Sequence, residues 1–198
     1  MQNLNQMTDD MLATLYSNGN VEAFNILLNR YKDKLYSYIN YIVRNADLAD
    51  DILQETFVKA IITLQKGAYS GNGKFGAWLT RIAHNLMIDC FRQERNDNTV
   101  SSDSQEYDIL NDMSLAESTI EDSMVNAQTL REIRSLVRML PDNQREVVFM
   151  RYYQDLSFKE IAEITGVSIN TALGRMRYAL LNIRRMAAEK SMELTLAD

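Results

Sequence analysis

The 198-residue chain contains one cysteine, one proline, one histidine and one tryptophan. A single thiol, Cys90, excludes an intramolecular disulfide, and without a Cys/His cluster there is no ligand set for zinc. His84 stands alone, with no carboxylate or nucleophile readable around it, so no acid–base pair for catalysis can be assembled. The expectation is a non-enzyme with no cofactor and no small-molecule substrate. No apolar run approaches the ~20 residues that a membrane-spanning helix needs. Met1–Gln6 has neither the basic cluster nor the apolar core of a signal peptide, so a cytoplasmic protein without membrane insertion is expected. Nothing alternates with period two, which argues against a sheet.

One further absence organises the whole chain. Residues 97–129 contain no Lys or Arg and eight acids, whereas residues 22–96 carry ten basic against eight acidic side chains, and residues 130–190 eleven against seven. The net charge of −6 therefore conceals two mildly basic modules around an acidic connector. Neither module has the cationic strength to hold DNA tightly by counterion release alone, so a DNA-binding role implies a partner.

What is present is helical. Thr8 can cap a short helix ending near Ser17, before the turn Ser17-Asn18-Gly19-Asn20. From Val21 to Val43, the residues Phe24, Leu27, Leu28, Tyr31, Leu35, Tyr38, Ile39 and Ile42 keep i, i+3, i+4 spacing, a long amphipathic helix. A second such helix is expected over about Asp47–Leu64. Lys66–Lys74, with three glycines, reads as a loop. A third helix, about Phe75–Gln93, buries Phe75, Trp78, Leu79, Ile82, Leu86 and Cys90. Residues rich in Ser, Asp and Asn then form a linker over 96–123. A second domain over 124–190 starts with a helix at about Met124–Leu140, and Pro141 opens the next one, where proline costs little. A tail, 191–198, closes the chain.

The stretch Ser157 to Ala172 carries the clearest local signature. Ser157 and Glu160 have capping-box spacing. Ala162 leaves room for a crossing helix, Gly166 sits where a tight turn needs positive φ, and Ser168 can cap the helix that follows. That is a helix-turn-helix. In its second helix, Ile169, Ala172, Leu173, Met176, Leu180 and Ile183 fall on one stripe and are expected to pack inward. The opposite face holds Thr171, Gly174, Tyr178 and Arg185, flanked by Asn170, Arg175, Arg177 and Arg184, a set able to bond base edges and phosphates. Gly174 in a helix interior costs roughly 1 kcal/mol against alanine. It either lets the backbone approach a groove floor or is an unconstrained exposed site.

With both halves in view the chain resembles a bacterial RNA polymerase sigma factor of the extracytoplasmic-function group, over roughly Asp9 to Arg185. Four segments carry the resemblance: Ala23-Phe24 through Arg30-Tyr31; Asp51-Ile52-Leu53-Gln54-Glu55-Thr56-Phe57; Phe75-Gly76-Ala77-Trp78-Leu79-Thr80-Arg81-Ile82-Ala83-His84-Asn85; and Leu140-Pro141 through Arg175. It implies an all-α chain of two small helical domains joined by a flexible acidic linker. Residues 1–95 would bind core polymerase and open the −10 promoter element, and residues 124–190 would read the −35 element.

The resemblance also implies site residues. Asp47, Asp50, Asp51, Gln54, Glu55 and Phe57 correspond to a surface that docks on core polymerase, which would explain an acidic face whose like charges repel at i, i+4. Arg81, Asn85 and Arg92, on the outward stripe of the third helix, correspond to the −10 reader, which with the preceding loop traps a base flipped from the opened duplex. Tyr69 is either the aromatic wall of that trap or a residue closing the core. Ser168, Asn170, Thr171, Gly174, Arg175, Arg177 and Tyr178 correspond to the −35 reader, although Asn170 and Gly174 depart from the usual Gly and Ser. The implied partners are core RNA polymerase, promoter DNA and an anti-sigma factor. Two rivals remain: a stand-alone helix-turn-helix regulator, which leaves the acidic face idle, and a protein-binding adaptor, which leaves the basic face idle.

Overall fold

The computed structural model describes residues 4–97 and 132–189 of the chain. The chain divides into two compact units, Met1–Tyr107 and Asp108–Asp198. Among the described residues every regular element is a helix. The proposed linker (96–123) lies almost wholly outside the described residues, as do the start of the second domain (124–131) and the tail.

In the first unit a 3₁₀ turn, Leu4–Gln6, leads to α1 (Asp9–Ser17), α2 (Val21–Val43), α3 (Ala46–Gln65) and α4 (Phe75–Asp97). Each of the first three starts on a side-chain cap: Thr8 accepts from Met11 N, Asn20 from Ala23 N and Asn45 from Leu48 N, each satisfying one orphan donor of a first turn. α2 stops where Arg44 turns left-handed at φ 54°, one residue before the cap of α3. The core of this unit is Leu12, Leu27, Tyr38, Ile39, Leu64, Leu79 and Met87, all essentially inaccessible. Ser17 Oγ donates to Leu64 O at 2.7 Å, tying the end of α1 to the end of α3. α4 runs four residues beyond the expected Gln93 and so reaches into the stretch assigned to the linker. Periodicity marks where an apolar stripe ends, whereas a helix continues for as long as its backbone bonds do.

The second unit contains α5 (132–138), α6 (Asp142–Tyr152), α7 (Phe158–Thr165) and α8 (Ile169–Glu189). Pro141 is the cap residue immediately before α6 rather than its first helical residue, and its missing N–H costs nothing there. Val147, Val148, Phe149 and Met150 are all buried, so α6 is wrapped on most of its circumference.

Candidate functional site

The helix-turn-helix forms as its spacing predicts. Ser157 and Glu160 make the reciprocal capping box that opens α7, with Ser157 N donating to Glu160 Oε2 at 2.9 Å. Gly166 ends α7 at φ 67°, and Val167 N donates to Ala162 O at 3.0 Å, closing the last turn before the chain reverses. Ser168 Oγ accepts from Thr171 N at 3.0 Å and pairs with the Thr171 hydroxyl at 2.8 Å. Ser168 is therefore the cap of α8, and its hydroxyl and that of Thr171 are committed to each other at the exposed start of that helix.

The inward stripe of α8 differs from expectation. Its buried residues are Ala172, Met176, Ala179, Met186 and Ala187, whereas Ile169, Leu173 and Leu180 are each more than a third exposed. The helix is rolled so that small alanines meet α6 and α7, because a close crossing admits Ala and not Leu. The displaced leucines, with Phe158, Met176, Arg177, Leu181 and Arg184, line an open groove of about 440 Å³. Asn170, Thr171, Arg177 and Tyr178 are exposed, Gly174 and Arg175 half-exposed, and nothing lies within 4 Å of where a Gly174 Cβ would stand. The backbone of α8 is thus bare in the middle of its polar, basic face.

Sequence reasoning missed what holds this unit's first turn. Arg145 of α6 is 4% exposed. Its guanidinium pairs with Asp142 and donates to Arg138 O at 3.4 Å, a carbonyl that α5 leaves open at its end, and to Leu140 O at 3.5 Å in the turn that follows. A charge placed there also faces the negative end of the α5 dipole. No charge pattern along one helix signals a contact made between two.

In the first unit, Asp47, Asp50, Asp51, Gln54 and Glu55 are all exposed on α3. Glu55 pairs with Lys59 at 3.1 Å, and Asp50 and Asp47 add to a rise in the Tyr36 pKa caused first by burial. Phe57 does not join them: it is 8% exposed and meets Phe24 edge-on at 6.3 Å, so it holds α3 to α2. Three residues after Gln54, it lies on the inward side of α3, which an acidic pattern read without the core does not reveal.

On α4, Arg81, Asn85, Asp89 and Arg92 are exposed, with Arg92 beside Asp89 at 3.5 Å. His84 is buried, with Nδ1 3.2 Å from the Tyr38 hydroxyl. Cys90 and Trp78 are half-buried rather than core. Tyr69 packs against Trp78 (4.8 Å) and edge-on to Phe75 (5.5 Å), while its hydroxyl donates to Asp10 Oδ1 at 2.7 Å. Burial first, and Asp10 second, push its pKa well above that of an ordinary phenol.

The Sigma-70 region 2 family matches residues 27–96, and Sigma-70 region 4 matches residues 130–180. The ECF RNA polymerase sigma factor SigW of Bacillus subtilis is 32% identical over 161 residues, covering 80% of this chain and 85% of that protein. The chain belongs to the ECF RNA polymerase sigma factors. This sigma factor is also 28% identical over 178 residues to the ECF sigma-E factor of Haemophilus influenzae, covering 86% of the one and 90% of the other. Its fold matches the sigma factor RpoE of Bartonella quintana, solved with the anti-sigma factor NepR, at a TM-score of 0.67 and 20% identity over 85% of this chain and 98% of that one. It is an alternative sigma factor that directs promoter-specific transcription. The region 2 match disfavours the stand-alone regulator, because it covers α3, whose acidic face that rival left idle.

Proposed function

We propose that this sigma factor divides its work among three faces. The acidic face of α3, with Asp47, Asp50, Asp51, Gln54 and Glu55, docks on a basic surface of core RNA polymerase. Phe57 supports it from within. An exposed row of like charges costs a few tenths of a kcal/mol per pair, and a complementary partner offsets that cost. Arg81, Asn85 and Arg92 on α4, with the loop 66–74 before it, read the −10 element as single strands: Asn85 bonds a base edge and the arginines meet phosphate. Tyr69 shapes the loop. Ser168, Asn170, Thr171, Gly174, Arg175, Arg177 and Tyr178 present α8 to the major groove of the −35 element.

The observation that carries this division is that all five polar docking residues and all three α4 readers are exposed, while Phe57 beside them is buried in the core. We assign the −10 and docking module to residues 1–97, the −35 module to 124–190, and the acidic connector to the sequence between. The chain performs no chemistry of its own, since RNA polymerase supplies it, and it works in the cytoplasm. The structurally similar RpoE of Bartonella quintana was solved with the anti-sigma factor NepR, which makes such a protein an expected partner here as well.

The test is capture and run-off transcription with purified core polymerase. Asp51→Arg should abolish co-elution with core. Asn85→Ala should leave co-elution intact and lower transcription from a duplex promoter. Unchanged co-elution of Asp51→Arg would refute the docking face.

A further inference from the structure

The loop between α3 and α4 has little to hold it. Gly67, Gly71 and Gly73 all adopt positive φ (63°, 46° and 74°), and a Cβ at Gly67 or Gly73 would have no neighbour within 4 Å. A segment so rich in glycine loses much conformational freedom on being ordered and has few side chains with which to order itself. The Tyr69 ring packs on Phe75 and Trp78 of α4, and two hydrogen bonds reach the loop from α1, both ending on one carboxylate. Asp10 Oδ1 accepts the Tyr69 hydroxyl at 2.7 Å, and Asp10 Oδ2 accepts Gly73 N at 2.6 Å. The first anchors the middle of the loop and the second its exit, two residues before α4 begins at Phe75.

The carboxylate is itself held in place. Asp10 lies in the first turn of α1, where the helix dipole favours an anion. Its neighbour Asp9 faces elsewhere, pairing with Arg30 at 2.6 Å and with the Tyr31 hydroxyl. Adjacent acids thus serve separate ends: Asp9 attaches α1 to α2, and Asp10 reaches the loop.

We propose that Asp10 is the positioning residue of −10 recognition, setting the 66–74 loop in the shape that meets an unpaired base beside Asn85. The proposal rests on the assignment of α4 and its loop to the −10 element. Asp10 touches no DNA in this account. It acts through Tyr69 and the Gly73 amide, and it is a residue of α1, distant in sequence from everything the promoter meets.

The experiment uses the full chain with core RNA polymerase and run-off transcription. Templates are one promoter that the wild type transcribes and single-base variants of its −10 and −35 elements, each as duplex and premelted across −10. Loss of a positioning hydrogen bond predicts that Asp10→Ala lowers discrimination among the −10 variants by roughly three- to tenfold. Discrimination at −35 and capture of core should not change, and the loss should persist on the premelted templates. Asp10→Asn should restore most of it, because the amide oxygen can accept from Gly73 N while the amide nitrogen donates to the Tyr69 oxygen. Tyr69→Phe keeps the ring packing and removes one bond, so it reports even if Asp10→Ala folds poorly; a smaller loss is expected.

Asp9→Ala is the control, since the bonds of Asp9 run to Arg30 and Tyr31 of α2 rather than to the loop. Equal relaxation of −10 discrimination by Asp9→Ala, or discrimination within twofold of wild type for both Asp10→Ala and Tyr69→Phe, overturns the proposal. If Asn85→Ala also leaves −10 discrimination unchanged, the underlying −10 assignment has failed instead.

Discussion

Gly76 lies hard against the ring of Tyr31: a Cβ at position 76 would stand 2.9 Å from Tyr31 Cε1, closer than real carbon contacts allow. The ring cannot simply swing aside. It packs on Phe75 at 5.4 Å and its hydroxyl is bonded to Asp9. Gly76 is thus what lets the start of α4 touch α2.

Gly76→Ala should therefore destabilise the first unit by about 1–3 kcal/mol, the usual cost of overpacking, despite the better helix propensity of alanine. Thermal unfolding of that unit checks this. An unchanged or raised midpoint would show that the contact relaxes freely.

Alkaline pH should selectively weaken the same unit. Burial, with Asp9 and Asp10 as further causes, raises the pKa values of Tyr31 and Tyr69 above the ordinary 10.0. Below pH 10 both phenols are neutral in the folded and unfolded chains, and their contribution to stability is fully present. Above it the unfolded chain releases protons that the folded chain keeps, so that contribution is lost as pH rises toward the folded-state ionisation. Melting midpoints measured from pH 8 to 11 should fall, and less steeply in Tyr31→Phe and Tyr69→Phe.

In the second unit the buried end of the Arg145–Asp142 pair should dominate. Asp142 has a side chain 90% exposed, so its charge is well screened and Asp142→Asn should cost under about 1 kcal/mol. Arg145→Met removes the donors to Arg138 O and Leu140 O and should cost roughly 1–3 kcal/mol. Chemical denaturation of the two variants compares them directly.

Gly174→Ala should move stability and promoter use in opposite directions. With open space around the site, alanine should raise helix stability by up to about 1 kcal/mol. If α8 presses its backbone toward the groove floor, the added methyl should lower −35-dependent transcription. A more stable variant with wild-type transcription would make Gly174 an unconstrained exposed site.

Much of this was readable from residue order alone. The capping box at Ser157, the turn at Gly166 and the cap at Ser168 are local devices, so their spacing suffices. Val21–Val43 was equally plain because its apolar stripe is long and unbroken. What stayed hidden depends on contacts between distant segments. Phe57 belongs inside because Phe24 waits there, His84 because Tyr38 does, and Arg145 because α5 ends nearby with open carbonyls. Asp10 carries no local signal, because its partners Tyr69 and Gly73 lie some sixty positions away. The roll of α8 escaped for a related reason: a hydropathy stripe ranks leucine above alanine, but a tight helix crossing selects the smaller residue.

Those outward leucines leave the second unit with an adhesive flank. Ile169, Leu173, Leu180 and Leu181 spend every moment outside a complex in contact with water, and such surfaces invite clumping and surveillance by chaperones and proteases.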